Sequence, residues 1–238
     1  RQIRKAGCQP VLMPRVLMPD TGMTAAPTTT PALSARARAL QPSLTLAIAA
    51  RAKALKADGQ DICSLSAGEP DFDTPAFIRQ AATAALEAGH TRYGPAAGEP
   101  ALRDAIAAKL STENGIATTA QQVLVTNGGK QALYNLFQVL LEPGDELLLP
   151  APYWLSYPEI AKLAGASVTM LPSSAAQGFR LDTAQLEAAI TPASKLLVLN
   201  IPGKLTGPQL SRPELEAIAD FLRRHPPVAV GSDESFEF

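Results

Sequence analysis

The chain predicts an α/β fold of three layers, with helices on both faces of a mostly parallel sheet, and three observations carry that expectation. Strand-length runs rich in Val and Leu stand at about 122–126, 145–149, 167–171, 195–200 and 227–232. Helical patterns at about 130–141, 154–164, 183–190 and 212–224 separate them. The runs are nearly continuous in apolar residues, which is how strands read when both faces are covered. In such a sheet the ligand sits beyond the carboxyl ends of the strands, so the loops after each run are the ones to search.

Residues 1–33 stand apart as a disordered leader and linker. The first 22 carry Arg1, Arg4, Lys5 and Arg15 against one acid, Asp20, and repeat the tetrapeptide VLMP at 11–14 and 16–19. Its prolines break any helix there, and Met23 offers a start, so this stretch reads as an extension outside the fold. The Thr/Pro/Ala run 24–33 reads as an extended, mobile linker.

Residues 34–66 read as an N-terminal arm and helix. Leu44, Ile48, Ala52 and Leu55 recur at helical spacing until Asp58-Gly59 stops them. Ile62 to Leu65 is an apolar run of strand length, in which Cys63 is expected to pack as a small hydrophobe. Residues 67–238 read as the alternating helix and strand domain proper. It opens on a helix with Thr74 as N-cap and Pro75 at the first helical position, burying Ile78, Ala82 and Leu86 and ending at Gly89. Leu102, Ile106 and Leu110 mark another helix, closed by Asn114-Gly115. All three stripes are expected to be core. Further on, Ser211-Arg212-Pro213-Glu214 is a capping box that opens the last helix.

Composition narrows the function classes. With 46% hydrophobic and 18% charged residues across 238, the chain has the material for a cored domain. A formal net charge of −1 gives no electrostatic footprint for nucleic acid or an anionic membrane, and no apolar run reaches the roughly 20 residues of a spanning helix. Only Cys8 and Cys63 are present, far apart, which fits a reducing, cytoplasmic setting. His90 and His225 are the only histidines, each expected at a helix end and without the company a zinc site requires. No Gly-x-Ser-x-Gly elbow occurs. The expected partners are small molecules or a second copy.

The loop after the 122–126 run is Thr126-Asn127-Gly128-Gly129-Lys130-Gln131, a strand turning through two glycines into a helix. Glycines let backbone amides approach an anion and a helix N-terminus adds partial positive charge, so this is a phosphate cradle in form. Taken alone, such a glycine pair is more often just a tight turn, and it lacks the spacing of a nucleotide P-loop. It has company. Before it stand Ala67-Gly68-Glu69-Pro70-Asp71-Phe72-Asp73-Thr74-Pro75 and Arg92-Tyr93-Gly94-Pro95-Ala96-Ala97-Gly98. After it stand Pro152-Tyr153-Trp154-Leu155-Ser156-Tyr157-Pro158 and Ser232-Asp233-Glu234.

This ordered set resembles the N-terminal part of the class I/II aminotransferases that depend on pyridoxal 5'-phosphate (PLP, fold type I), particularly the bacterial aspartate/prephenate branch. The resemblance runs from about Ser34 to Phe238. It implies transfer of an amino group from an amino acid to a 2-oxo acid, and a homodimer. By position, Gly68 resembles the glycine whose backbone meets the substrate carboxylate. Gly128, Gly129 and Lys130 match the phosphate-binding turn, and Trp154 matches the aromatic that stacks on the pyridine ring. Tyr93 resembles the residue that reaches the phosphate of the partner subunit. Asp233 matches the carboxylate against the pyridine nitrogen, where it keeps the ring protonated as an electron sink. Glu234 reads as structural.

Three departures from the family pattern bear on activity. Lys204-Leu205-Thr206-Gly207 stands where relatives have Asn-Pro-Thr-Gly, and Phe236 stands where they have a tyrosine that donates to the cofactor's phenolic oxygen. None of the lysines (5, 53, 56, 109, 130, 162, 195 and 204) has the Ser-rich context, or the position after Asp233, of the family's Schiff-base lysine. Residues 67–238 are therefore expected to be a partial PLP-binding large domain, truncated before the Schiff-base lysine, and the chain to be inactive, with no catalytic residue assigned. The strands implied to lie between the 122–126 and 227–232 runs are also missing, so the first run is expected to be orphaned. A non-catalytic PLP-binding protein, or part of another fold type I enzyme such as a lyase or decarboxylase, remains open at this point.

Overall fold

The computed structural model describes residues 32–65, 72–200, 207 and 210–234. Ser34 to Phe238 group into one compact unit. Its centre is a four-stranded, all-parallel sheet of order β2-β1-β3-β4, made from β1 (Glu146–Pro150), β2 (Ser167–Leu171), β3 (Ser194–Asn200) and β4 (Ala229–Asp233).

Alternation along the strands sends side chains to two separate cores. Leu147 and Leu149 of β1 with Leu196 and Val198 of β3 meet Phe137 of α5 (Gly129–Leu140) and Tyr157, Ile160 and Ala161 of α6 (Ser156–Ala164). Leu148, Leu197 and Leu199 point the other way. They meet Leu186 of α7 (Thr183–Ala189) and Ile218 and Phe221 of α8 (Arg212–Arg224). This is the expected three-layer arrangement, and each fully buried leucine contributes roughly 2 kcal/mol of transfer free energy. The Ser211 capping box forms as expected, with the Glu214 carboxylate accepting from the Ser211 N–H at 2.8 Å. His90 follows the end of α3 and His225 caps α8, both at helix ends.

Every strand runs the same way, so all carboxyl ends share one edge. The chain leaves β1 through α6 to one neighbour, β2, and then crosses past β1 to β3 on its other side. The crevice at that reversal is where an open parallel sheet takes its ligand. Gly231 lets α5 lie close over this edge: a Cβ there would come within 3.3 Å of Leu136 Cδ2.

The N-terminal half departs from the sequence reading. The helices stand where expected, as α2 (Leu44–Ala57), α3 (Ala76–Glu87) and α4 (Pro100–Thr112), preceded by a short α1 (Ala35–Ala39). Their stripes are not core. Leu44, Ile48, Ile78, Leu86 and Leu102 are all exposed, and Ala107 is the only buried residue among the three. The N-cap of α3 is Pro75 and makes no side-chain cap, one place later than expected for Thr74. Residues 62–65 form no strand, and Cys63 is exposed.

The 122–126 run is not a strand either. A 3-10 turn at Ala120–Gln122 leads into extended chain whose backbone finds other partners. The Val125 N–H donates to Ala97 O at 3.0 Å, and Arg103 Nε donates to Val123 O at 2.9 Å. Gly98 lets Val125 sit against the turn, since a Cβ there would fall 2.6 Å from Val125 side-chain atoms. Polar backbone that finds no ladder must be satisfied some other way, and here a turn and an arginine do it.

Candidate active site

Four segments meet at the carboxyl edge of the sheet: the start of α5, the loop after β1, and the ends of β3 and β4. Gly128 is the N-cap of α5 at φ +79°, a conformation that L side chains rarely adopt, with open space where a Cβ would project. The turn is braced by Thr126 Oγ1 donating to Gly128 O at 3.0 Å and by the Asn127 N–H donating to Gln131 Oε1 at 2.7 Å. The first N–H groups of a helix have no acceptor within it, and the dipole adds positive character there. Lys130 Nζ lies 4.9 Å from the ring centroid of Trp154, within cation–π range.

Trp154 stands just before α6, half-buried. Its ring meets Tyr157 edge-on, with centroids 5.5 Å apart and planes at 84°. Tyr157 is fully buried, and its hydroxyl donates to Asp233 Oδ2 at 2.6 Å. Burial first, and then the bond to Asp233, raises the phenol's pKa far above its ordinary value. It therefore stays a donor throughout the working pH range. Asn200, ending β3, donates from Nδ2 to the Asp233 carbonyl at 3.3 Å. Glu234 accepts from Ser232 Oγ at 2.8 Å.

Lys130, Trp154, Tyr157 and Asp233 thus form one connected line from cation to flat aromatic face to carboxylate. Beside it a cleft of 520 Å³ separates arm residues 40–46 from Trp154 and the outer side of α6. The arm is pinned there by the Gln41 N–H donating to Glu159 Oε2 at 3.0 Å. Among the described residues, no group of three or more His, Cys, Asp or Glu side chains converges on a point, and no helix is long and apolar enough to cross a membrane.

Comparison with known proteins gives the family. Residues 60–237 match the family model described as aminotransferase class I and II. This chain belongs to that family. An aspartate/prephenate aminotransferase of Thermus thermophilus is 46% identical over 205 residues, covering 86% of this chain and 53% of the relative. A bifunctional aspartate aminotransferase and glutamate/aspartate-prephenate aminotransferase of Petunia hybrida is 48% identical, covering 87% and 43% respectively. The solved structure of an aspartate aminotransferase from Thermus thermophilus with maleate superposes with a TM-score of 0.82 at 44% identity, covering 85% of this chain and 53% of that one. The chain spans about half the length of the curated relatives it matches. Class I and II aminotransferases depend on PLP.

The residues present suit such a cofactor by their own chemistry. A phosphate ester needs amides and a cation, a planar ring needs a flat apolar face, and a pyridine nitrogen needs an acid. The turn at 128–130, Trp154 and Asp233 offer these in that order along one edge. Of the residues singled out in the sequence, Gly128, Gly129, Lys130, Trp154 and Asp233 come together. Tyr93 does not: it is fully exposed, in the segment between α3 and α4. Gly68, Lys204, Leu205 and Phe236 lie outside the described residues. Sequence reasoning gave Tyr157 and Asn200 no role. The sole sign was Tyr157 standing three residues after Trp154, one helical turn on.

Proposed function

We propose that this chain supplies the cofactor-holding part of an aspartate-type aminotransferase, acting on an amino acid and a 2-oxo acid in a cytoplasmic homodimer. The observation that carries the reading is the line from Lys130 through Trp154 and Tyr157 to Asp233 at the carboxyl edge of the sheet. When bound, PLP supplies a carbonyl that takes up the amino group and a protonated ring that draws electrons from the substrate.

The chain's residues hold and tune that group. Backbone N–H groups at Gly129 and Lys130, with the Lys130 ammonium, bind the phosphate dianion. Trp154 covers one ring face and excludes water from it. Asp233 keeps a proton on the ring nitrogen. Gly68 meets the substrate carboxylate, and Tyr93, exposed on one protomer, reaches the phosphate held by a partner copy. The aspartate preference is taken from the similar aspartate/prephenate aminotransferases, and the cytoplasmic setting from the two widely separated cysteines.

None of the lysines in residues 1–238 has the position after Asp233 that the family's cofactor-attaching lysine has, so the reading assigns to these residues reversible cofactor binding and no covalent attachment. Purified chain titrated with PLP should show a change in absorbance that dialysis reverses. Borohydride treatment followed by peptide mapping should find no lysine adduct. A stable adduct on one defined lysine, or conversion of aspartate by the purified 238 residues, would refute it.

A further inference from the structure

We propose that Met170 is a reversible oxidation site, at which a hydroperoxide converts the thioether to a sulfoxide and so changes how the loop carrying Trp154 is held. The proposal goes beyond the cofactor reading and does not depend on it. Three observations support it. Met170 is the next-to-last residue of β2, an edge strand of the sheet, and is 58% exposed, within reach of a dissolved oxidant. Its sulfur nonetheless has a partner, since the Tyr153 hydroxyl donates to Met170 Sδ at 2.9 Å. Tyr153 directly precedes Trp154, and both side chains line the cleft that faces arm residues 40–46. The loop after β1 is tied to the end of β2 by the Ala151 N–H donating to Leu171 O at 2.9 Å and by Ser173 Oγ donating to Ala151 O. Among the described residues, the Tyr153 bond to sulfur extends that tie past Ala151 toward Trp154.

The step balances on one sulfur and one peroxide. A sulfur lone pair attacks the hydroxyl oxygen of R–O–O–H, the S–O bond forms as the O–O bond breaks, and the hydroxyl proton passes to the departing RO⁻, giving an alcohol, or water where R is hydrogen. Sulfur loses two electrons and the peroxide gains them. A thioether is a weak acceptor; its sulfoxide is polar, with the acceptor capacity on oxygen and the sulfur positively polarised. The Tyr153 O–H therefore leaves the sulfur, and Trp154, one residue on, shifts with the loop. Methionine sulfoxide reductases, one for each epimer, return the thioether and with it the original bond.

Hydrogen peroxide tests this on the full chain with no PLP present. Oxidised residues are mapped by mass spectrometry while the emission of Trp154, the single tryptophan, is followed. Sulfoxide should appear at Met170 together with a shift in Trp154 emission, and a mixture of the two reductases should reverse both. Met170→Leu removes the oxidisable sulfur and should lose the emission shift, although Met13, Met18 and Met23 remain. Tyr153→Phe should still form the sulfoxide at Met170 and lose the emission shift, because the ring stays and only the O–H has gone.

Absence of sulfoxide at Met170, sulfoxide there without an emission shift, a shift undiminished in either variant, or a shift that the reductases leave in place would each overturn the proposal. Should Tyr153→Phe fail to fold, wild-type protein carrying ring-labelled tyrosine gives a second measurement, since four tyrosines keep the carbon spectrum simple. The Tyr153 hydroxyl-carbon resonance should move on oxidation and return on reduction, while that of the exposed Tyr93 stays in place. A Tyr153 resonance indifferent to oxidation would overturn the proposal. Because no cofactor enters the test, its outcome and that of the PLP titration are separate.

Discussion

Two parts of the molecule carry the same kind of apolar pattern and meet opposite fates. Before Gly128, three helices show apolar residues at helical spacing, and the buried hydrophobic residues described there are Ala107 and Val123 alone. After it, comparable stripes on α5 to α8 close over a sheet in which Leu147, Leu148, Leu196 and Leu197 have no exposure at all. Periodicity tells which side of a helix is apolar, and does not tell what covers it. In the second region the cover is the sheet. In the first, the described residues hold nothing comparable, and Phe77, Ile78 and Leu86 on α3 lie open.

The largest expected effect in this comparison is in amide hydrogen exchange. Amides of β1 and β3 should exchange only on global opening, while those of α2 and α3 should exchange through local fraying, orders of magnitude faster. Comparable protection in α3 and β3 would mean that a second copy covers the open stripes, and the contrast would dissolve.

Next in size is the cost of cutting back side chains. Leu197→Ala should destabilise the chain by about 2–5 kcal/mol in urea unfolding, because the site is closed on all sides and leaves a cavity. Leu86→Ala should stay within about 0.5 kcal/mol, as surface changes do. A Leu86→Ala loss as large as that of Leu197→Ala would place α3 in a core.

The smallest effect lies at the opposite end of the sheet from the candidate site. Glu146 is pulled two ways: burial raises its pKa, and hydroxyl donors from Ser194, Thr169 and Thr191 together outweigh that, leaving it below the ordinary 4.5. The unfolded carboxylate takes its proton at higher pH than the folded one. The stabilisation is therefore present above the ordinary glutamate range and lost as pH falls through the folded value. Glu146→Gln should flatten the acid side of the stability profile by lowering stability modestly at neutral pH while leaving it little changed below the folded value; an unaltered acid limb would show that other carboxylates carry it.

Much of the second region is legible in the sequence. Ser211 and Glu214 announce a helix start by chemistry alone, since a hydroxyl and a carboxylate three residues apart satisfy orphan donors locally. The 195–200 and 167–171 runs fall on β3 and β2 within a residue. The 122–126 run failed because a strand needs a neighbour to share its hydrogen bonds, and Val123 and Val125 found Arg103 and Ala97 instead. Of the candidate site, the phosphate-type turn, Trp154 and Asp233 could be read from motifs. Tyr157 could not, because its bond spans 76 positions in the chain.

Sequence by itself determined the approximate positions of the longer helices, the parallel α/β class, the family, and the residue types offered to a phosphorylated, planar ligand. These depend on local backbone chemistry and on the period of apolar residues. Tertiary structure alone decided which apolar stripes became core, whether a run of valines became a strand, and which buried hydroxyl faces Asp233. Each of those is fixed by a partner distant in sequence, and no local pattern encodes the partner.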